Sequence, residues 1–489
     1  MKGLRDKSIT RRSTMTAIAV APFVLSAGPR AFAQDELPPF PDGDVQILRA
    51  GDQGYEQHQP SYNARTMLRP RWRALCKSMT GLRRLVDAAR DRRIPFAIRS
   101  GGHSFEGFSQ SDTLVIDVRP LNNVQISPGA SGPIAVVGSG ISLGALYRAT
   151  ARAGLCFPAG SCPTVGLAGH MQGGGFGLLS RALGLASDAF LGAEIVDAQG
   201  APRVVSAEKD PDLYWALQGG GGGTFGAASS FRIALFQIGQ VHTFTQSFSL
   251  PIAAAVQVVD AWQNWAPAAP DEISSLLTVR STARGITNLR LAGQSVGNAT
   301  TLQDQLQRFA GKASQPANAT IRSGSFLEAV DRFSGGWNYE SKFSKGKSDY
   351  VLQPLSAQAI DTLLRGISSL SPNSMIAIMD AYGGAIQRKR NHESAFAFRN
   401  ALYCIQYYSS WFDPAQTGSR LTQMRKVYAA MRPHLPGFSY VNYCDLDLTD
   451  WQHAYWSTNV DRLRNIKAHV DPTNLFHHAQ SITPTIGFQ

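Results

Sequence analysis

Two short stretches carry the side chains best suited to covalent chemistry. "RSGGHSFEGFS", residues 99–109, sets His103 directly after a glycine pair, and "AGSCPTVGLAGHMQGGGFG", residues 159–177, holds Cys162 in a similar setting. An imidazole nitrogen and a thiolate are both nucleophiles toward an electron-poor carbon. The first loop (Arg99, Ser100, Gly101, Gly102, His103, Ser104) offers successive backbone N–H groups with no bulky side chain at 101 and 102, and can cradle a pyrophosphate. The second does the same over a longer path through Gly166, Gly169, His170, Gly173, Gly174, Gly175 and Gly177. Two such loops imply an extended, anionic, two-part ligand, and a dinucleotide fits. Composition is equally compatible with two tight loops whose histidines, His103 and His170, are satisfied by local hydrogen bonds.

A third glycine pattern is a decoy. "VVGSGISLG" places Gly138, Gly140 and Gly144 between a strand and a helix. A nicotinamide-binding turn needs G-x-G-x-x-G and an acid about 20 residues later. The spacing here is one residue too long, and "AGSC" stands where the acid belongs. A tight strand–helix turn explains these glycines.

The elements that must hold the two loops are legible from periodicity. "LRRLVDAARDRR" (82–93) is an amphipathic helix with apolar Leu82, Leu85, Val86 and Ala89. "IPFAIRS" is a strand running into Gly101, and "TLVIDV" (113–118) and "PIAVVG" (133–138) are two more. "SLGALYRATARAG" (142–154) is a helix ending on glycine. "GAEIVDAQGAPRVV" (192–205) is a hairpin turning at Gln199-Gly200. "DPDLYWALQGGGGGTFG" is a helix entering five glycines, followed by the strand "SSFRIALF". Residues 66–237 thus form a mixed unit rich in glycine loops. From 238 to 437, apolar strands alternate with polar helices, as in an α+β domain on an antiparallel sheet. The end, 438–489, reads as a strand, one long helix stopped at Asp471-Pro472, and a tail.

The chain has 489 residues, 43% of them hydrophobic, which is enough for two or three domains. Its net charge of +12 is scattered and accompanies no nucleic-acid-binding module. Five cysteines without a CxxC argue against a zinc site, so no metal is expected, and their odd number asks for one special thiol. Cys156, in the strand-like "GLCFP", is read as a structural thiol, and disulfides among Cys76, Cys156, Cys404 and Cys444 stay open. Residues 1–33 read as an export signal: Lys2, Arg5, Lys7, Arg11 and Arg12, an apolar stretch, then Ala31-Phe32-Ala33. The Arg11-Arg12 pair fits twin-arginine export, with Sec export as the alternative. Residues 34–65 form a polar lead-in, and the expected location is periplasmic or extracellular without stable membrane anchoring.

Four ordered motifs, "RSGGHSFEGFS", "GSCPTVGLAGHMQGGGFGLLSRALGLASD", "DLYWALQGGGGGTFG" and the C-terminal "YVNYCDLDL…NVDRLRNIKAHVDPTNLFHHAQSI", resemble the berberine-bridge-enzyme-like branch of the vanillyl-alcohol-oxidase flavoproteins. The resemblance implies an α+β fold: a two-lobed FAD-binding domain (66–237), a substrate domain (238–437) whose helix-covered antiparallel sheet lies over the isoalloxazine, and a C-terminal segment returning to the FAD domain. It implies FAD bonded at its 8α-methyl to His103 and at C6 to Cys162, with Val165 beside flavin C4a controlling oxygen access. A small residue at Val165 resembles the oxidases of the family. The "YxNY" strand supplies the base, Tyr443, while Tyr440 and Asn442 on the opposite strand face meet the flavin side. Asp380 and Gln406 are candidate neighbours of that base from the substrate sheet. The implied reaction is oxidation of an alcohol or sugar-type hydroxyl, with O2 reduced to H2O2. Phe105 and Phe176 stand where sugar-oxidising relatives carry tyrosines, which weakens a carbohydrate assignment. The alternatives are a dehydrogenase or tailoring oxidase of an amine or phenolic natural product, and a secreted flavin-binding protein without catalysis.

Overall fold

The computed structural model describes residues 36–41, 43–280 and 286–485. The expected export signal lies outside them. Among the described residues no helix is long and apolar enough to cross a membrane. Residues 38–489 form one compact unit built on three main sheets.

The first sheet has four strands in the order Val45–Leu48, Trp72–Cys76, Leu114–Asp117, Phe96–Arg99. The last three are parallel, because helix Met79–Asp91 carries the chain over the sheet between Trp72–Cys76 and Phe96–Arg99. That helix buries Leu82, Leu85, Val86 and Ala89 on one face. Its N-cap is Ser78, whose hydroxyl accepts the Gly81 N–H, a contact typically worth about 1 kcal/mol. Strand Val45–Leu48 lies within 34–65, so that segment completes a sheet rather than merely leading into one. The second sheet has five antiparallel strands: Val124–Gly129, Gly132–Gly138, Ala227–Ala234, Phe190–Val196 and Pro202–Val205. The expected hairpin turn is present, with Gly200 at φ +80° and the Asp197 carboxylate accepting the N–H of Gln199 and Ala201.

The third sheet has seven strands in the order Thr320–Gly324, Val241–Pro251, Ile286–Ser295, Ile273–Arg280, Ile376–Ala381, Tyr403–Trp411, Phe343–Val351. It is antiparallel throughout. Helices Ile252–Trp265 and Ala357–Ser368 cover one face, where Trp262, Leu277, Val279, Leu289 and Leu363 form a shared core. Side chains alternate across a strand, so the intervening Leu276, Thr278 and Arg280 emerge on the other face. This alternation is what aims the substrate-domain residues at the site.

Two expectations for the C-terminal segment need correction. "YVNYCD" is not a strand: Val441–Tyr443 is a 3-10 turn. Here a side-chain hydroxyl and a helix carbonyl take the backbone contacts a ladder would have supplied. The Tyr440 N–H donates to the Ser348 hydroxyl, and Ser439 N–H donates to the Ala454 carbonyl. The single long helix is two, Trp451–Trp456 and Val460–Val470, separated at Ser457, which sits at φ +47°.

A buried ion cluster fixes this segment against the substrate sheet. Lys345 and Lys347 donate to the two oxygens of Asp445, each at 2.6 Å, and Lys345 also pairs with Glu106 of the GGH loop. Burial pulls the Lys345 ammonium down, but Asp445 and Glu106 more than offset it and hold it above its ordinary value. Removing one member of such a cluster typically costs about 3–5 kcal/mol, because the remaining charges are left unpaired away from water.

Candidate active site

The two glycine loops meet each other before they meet anything else. A Cβ at Gly101 would lie 2.1 Å from the Gly166 nitrogen, and one at Gly166 would lie 2.2 Å from the Gly101 nitrogen. No side chain fits there, so these glycines let two backbones cross at contact distance. Gly102, at φ +69°, turns the chain so that the His103 ring reaches the Cys162 loop. His103 Nε2 lies 3.0 Å from the Thr164 hydroxyl, and Cys162 Sγ lies 3.5 Å from the same hydroxyl. Thr164 thus joins the two nucleophiles that sequence spacing alone left 59 residues apart.

Aromatic rings fix the His103 imidazole. Tyr62 stacks on it at 4.4 Å between centroids, and Tyr339 meets it edge-on at 5.4 Å. Tyr62 in turn shares a 3.0 Å hydrogen bond with the Tyr408 hydroxyl. Burial, reinforced by the Arg99 guanidinium, pulls His103 down to about 3, so at neutral pH the ring is uncharged and keeps a nitrogen lone pair. Cys162 is partly open to the cavity, whereas Cys156 is sealed in the core and pushed up to about 12 by burial. All five cysteines are free thiols.

A cavity of about 680 Å³ runs past these residues. Its wall includes Ser100, Gly101, Gly102, His103, Ser104, Cys162, Val165, Gly166, Gly169, His170 and Gly177 on one side. Asp380, Gln406, Tyr440, Asn442 and Tyr443 face it from the other. Four expected ligand-loop residues are elsewhere. The Arg99 guanidinium turns away and donates to the carbonyls of His58, Gln59 and Pro60. The space beside Gly173 is filled by Asn442, that beside Gly174 by Phe396, and that beside Gly175 by Ala186 and His170. These three glycines pack the loop against protein. His170 also has a structural partner: it is buried, pulled down to about 4, and accepts the Gly160 N–H at 3.0 Å.

On the opposite wall, the Tyr443 hydroxyl donates to Asp380 Oδ2 at 3.3 Å. Burial pushes the Asp380 carboxyl up to about 7 and raises Tyr443 far above the usual phenol range. Tyr440 is committed differently. Its hydroxyl accepts the N–H of Gly175 at 2.9 Å and of Phe176 at 3.2 Å, and burial pushes it up to about 12. Asn442 donates to the His170 carbonyl at 2.9 Å and to the Tyr440 hydroxyl. Tyr440 and Asn442 therefore hold the second loop, and only Tyr443 of the three presents a hydroxyl to the substrate sheet. Gln406 stands opposite Ile378 in the sheet, and its amide has no hydrogen-bond partner among the described residues. Phe105 lies 6.1 Å from the Tyr443 ring and Phe176 stacks on Tyr382 at 5.1 Å, so both act as apolar packing.

Sequence reading missed Tyr62, Thr164 and Tyr339. Thr164 carried a signal, a hydroxyl two residues after the cysteine. Tyr62 and Tyr339 carried none, since each comes from a distant polar segment.

The comparisons with known proteins agree with this arrangement. Residues 70–206 match the FAD binding domain family, and residues 439–483 match the Berberine and berberine like family. The uncharacterised FAD-linked oxidoreductase YgaK of Bacillus subtilis is 31% identical over 444 residues, 90% of this chain and 96% of that one. Reticuline oxidase of Eschscholzia californica is 32% identical over 430 residues, 80% of this chain and 79% of its own. Among solved structures, Physcomitrella patens BBE-like 1 superposes with a TM-score of 0.84 at 28% identity, covering 91% of this chain and 98% of that one. The berberine bridge enzyme of Eschscholzia californica gives 0.83 at 26% identity, with the same coverage. The chain belongs to the berberine-bridge-enzyme-like FAD-linked oxidoreductases. It is an FAD-dependent oxidoreductase.

The cavity's own chemistry suits that cofactor. The hydroxyls of Ser109, Ser139 and Thr224 are buried on its wall without a partner among the described residues, and a Cβ added at Gly169 or Gly223 would meet none of those residues within 4 Å. Unpartnered buried donors beside open backbone call for a polar ligand. FAD would be held by these hydroxyls, the Gly101–Ser104 loop and the Gly166–Gly169 turn, with His103 and Cys162 at one end.

Proposed function

We propose that the protein is an exported oxidase with FAD bonded to both His103 and Cys162, acting on an alcohol or sugar-type hydroxyl and producing H2O2. The observation that carries this reading is the pairing across one cavity: Tyr443 on Asp380 on one wall, His103 and Cys162 joined through Thr164 on the other. When bound, FAD would supply a two-electron acceptor for hydride from the substrate carbon and a two-electron donor for O2.

The chain's residues do the rest. The substrate C–O–H proton goes to Tyr443 Oη as the Tyr443 proton goes to Asp380 Oδ2. A carboxyl pushed up to about 7 is matched to receiving a proton near neutral pH. The neutral His103 imidazole is the right form for a nitrogen nucleophile, and an Nε2–H donated to Thr164 leaves Nδ1 free to form the bond. Val165, small and on the cavity wall, leaves room for O2. Among the similar solved structures, a berberine bridge enzyme variant with one glycine changed to alanine is described as a reticuline dehydrogenase.

A second reading, a tailoring oxidase of an amine or phenolic compound, is favoured by Phe105 and Phe176. Their apolar rings replace hydroxyls a sugar would use, and reticuline oxidase is among the relatives. A flavin-binding protein without catalysis has no use for Asp380 held against Tyr443.

Intact mass and an absorption spectrum of purified protein test the proposal. One FAD mass should survive acid denaturation, and either His103→Ala or Cys162→Ala alone should leave it attached. Release of free yellow FAD by acid from the unsubstituted protein overturns the double attachment. Slow reoxidation in air overturns the oxidase assignment.

A further inference from the structure

The substrate sheet changes character along its length. Where Tyr443 approaches it, Leu276 and Asp380 stand opposite each other in neighbouring strands. Two residues further, Thr278 faces Ile378, and two further again, Arg280 faces Ile376. All six line the cavity, and so does Arg290 on the next strand. With a rise of about 3.3 Å per residue, Arg280 is about 13 Å along the sheet from the level of Asp380.

Arg280 and Arg290 are set on one face as diagonal neighbours. In the Ile273–Arg280 and Ile286–Ser295 pair, Thr278 is opposite Arg290 and Arg280 is opposite Asn288. Diagonal positions put the Cβ atoms roughly 7 Å apart, within reach of one another through long side chains. Like charges so placed repel unless something negative lies between them. Among the described residues no carboxylate lies within ion-pair distance of either one, and the sequence between them, residues 281–289, contains no acid. Other exposed arginines of this chain behave differently: Arg365 pairs with Asp361, Arg388 with Asp271 and Arg462 with Asp212. The side-chain oxygen of Asn288, facing Arg280, is buried and also lacks a partner.

We propose that Arg280 and Arg290 form an anion subsite at the far end of the substrate channel, and that the substrate is an elongated alcohol ending in a compact oxyanion, a carboxylate or a phosphate monoester. Guanidinium forks bind such groups through paired charge-assisted hydrogen bonds. Leu276, Ile376 and Ile378 pave the route between the two ends, so the body of the substrate is apolar. The oxidised C–OH lies at Tyr443 and the anion about a strand's length away. This rests on the alcohol-oxidising reading for the reacting end only.

The test uses a matched set of probes on the FAD-loaded enzyme: 10-hydroxydecanoate, the monophosphate of 1,10-decanediol, and 1,10-decanediol itself. Calorimetry measures binding and flavin bleaching measures turnover. Either anionic probe is expected to bind at least tenfold more tightly than the diol, with the preference falling as salt rises. The better of the two names the head group. In Arg280→Gln/Arg290→Gln the preference should fall to within about twofold, while Arg308→Gln, which removes a charge from helix Ala299–Lys312, should keep it. Equal binding of anionic and neutral probes, or a preference that survives the double substitution, overturns the subsite. If the anions bind tightly but none of the probes bleaches the flavin, the subsite stands and the alcohol reading fails.

Discussion

The two walls of the cavity are built to opposite specifications. The wall carrying His103 and Cys162 is made of loops locked to each other by backbone contact at Gly101 and Gly166, with its two nucleophiles joined through Thr164. The wall carrying Asp380 and Gln406 is a regular sheet face that presents side chains with few partners of their own. One wall is suited to lying close along an extended cofactor. The other is suited to exchanging molecules, because its unpartnered groups wait for the substrate's. Irregular backbone supplies close approach, and regular backbone supplies evenly spaced, replaceable side chains.

That contrast can be broken at either wall. The largest effect is expected at the sheet side. Asp380→Asn or Tyr443→Phe should lower kcat by about 10³-fold, or about 4 kcal/mol in the barrier. The flavin should stay attached in both, since neither side chain has a contact with His103 or Cys162. Steady-state rates alongside the acid-denatured mass check this, and loss of attached flavin in Asp380→Asn would blur the two walls into one.

Next comes the loop crossing. Gly101→Ala forces a Cβ into the Gly166 backbone and should destabilise the protein by about 3 kcal/mol, read as a lowered Tm. Gly169→Ala, whose added methyl points into open space, should hardly move Tm but should weaken FAD retention.

The pH profile sharpens the chemistry of the sheet wall. Asp380 accepts a proton only as the carboxylate, and its value is raised to about 7. Activity is therefore present above about 7 and lost on acidification, by about tenfold per unit in kcat/KM. The acid limb should vanish in Asp380→Asn. A limb that persists there at the same position assigns it to another group.

The smallest effect is expected at Thr164. Thr164→Val removes the hydroxyl shared by His103 and Cys162 and should cost about 1 kcal/mol in stability. Its more telling readout is the fraction of acid-stable flavin in freshly made protein, which should fall and then recover on prolonged incubation with FAD. Thr164→Ser, which keeps the hydroxyl, should restore it.

Local pattern was enough for much of the α+β scaffold. Helix Met79–Asp91 and the hairpin turning at Gly200 follow from periodicity, caps and turn residues within a dozen positions. The failures share a cause. The segment around Tyr440 looks like a strand by alternation, yet the Tyr440 N–H is claimed by Ser348 and its hydroxyl by Gly175 and Phe176, partners 92 to 265 residues away. Arg99 sits in a phosphate-type loop but spends its guanidinium on three carbonyls of the 58–60 segment, which no local rule anticipates.

By itself, the sequence determined which residues are chemically able to act: a histidine and a cysteine in glycine loops, a tyrosine near the C-terminus, an aspartate on an apolar strand. Residue type sets nucleophilicity and proton affinity before any folding. Only the tertiary structure decided which of them share a cavity. It brought Thr164 between His103 and Cys162, set Tyr62 on the imidazole, buried Asp380 against Tyr443 until its carboxyl rose to about 7, and set Arg280 and Arg290 as diagonal neighbours on one sheet face. Those properties depend on distance and desolvation, and both come into being only when segments far apart in the chain are packed together.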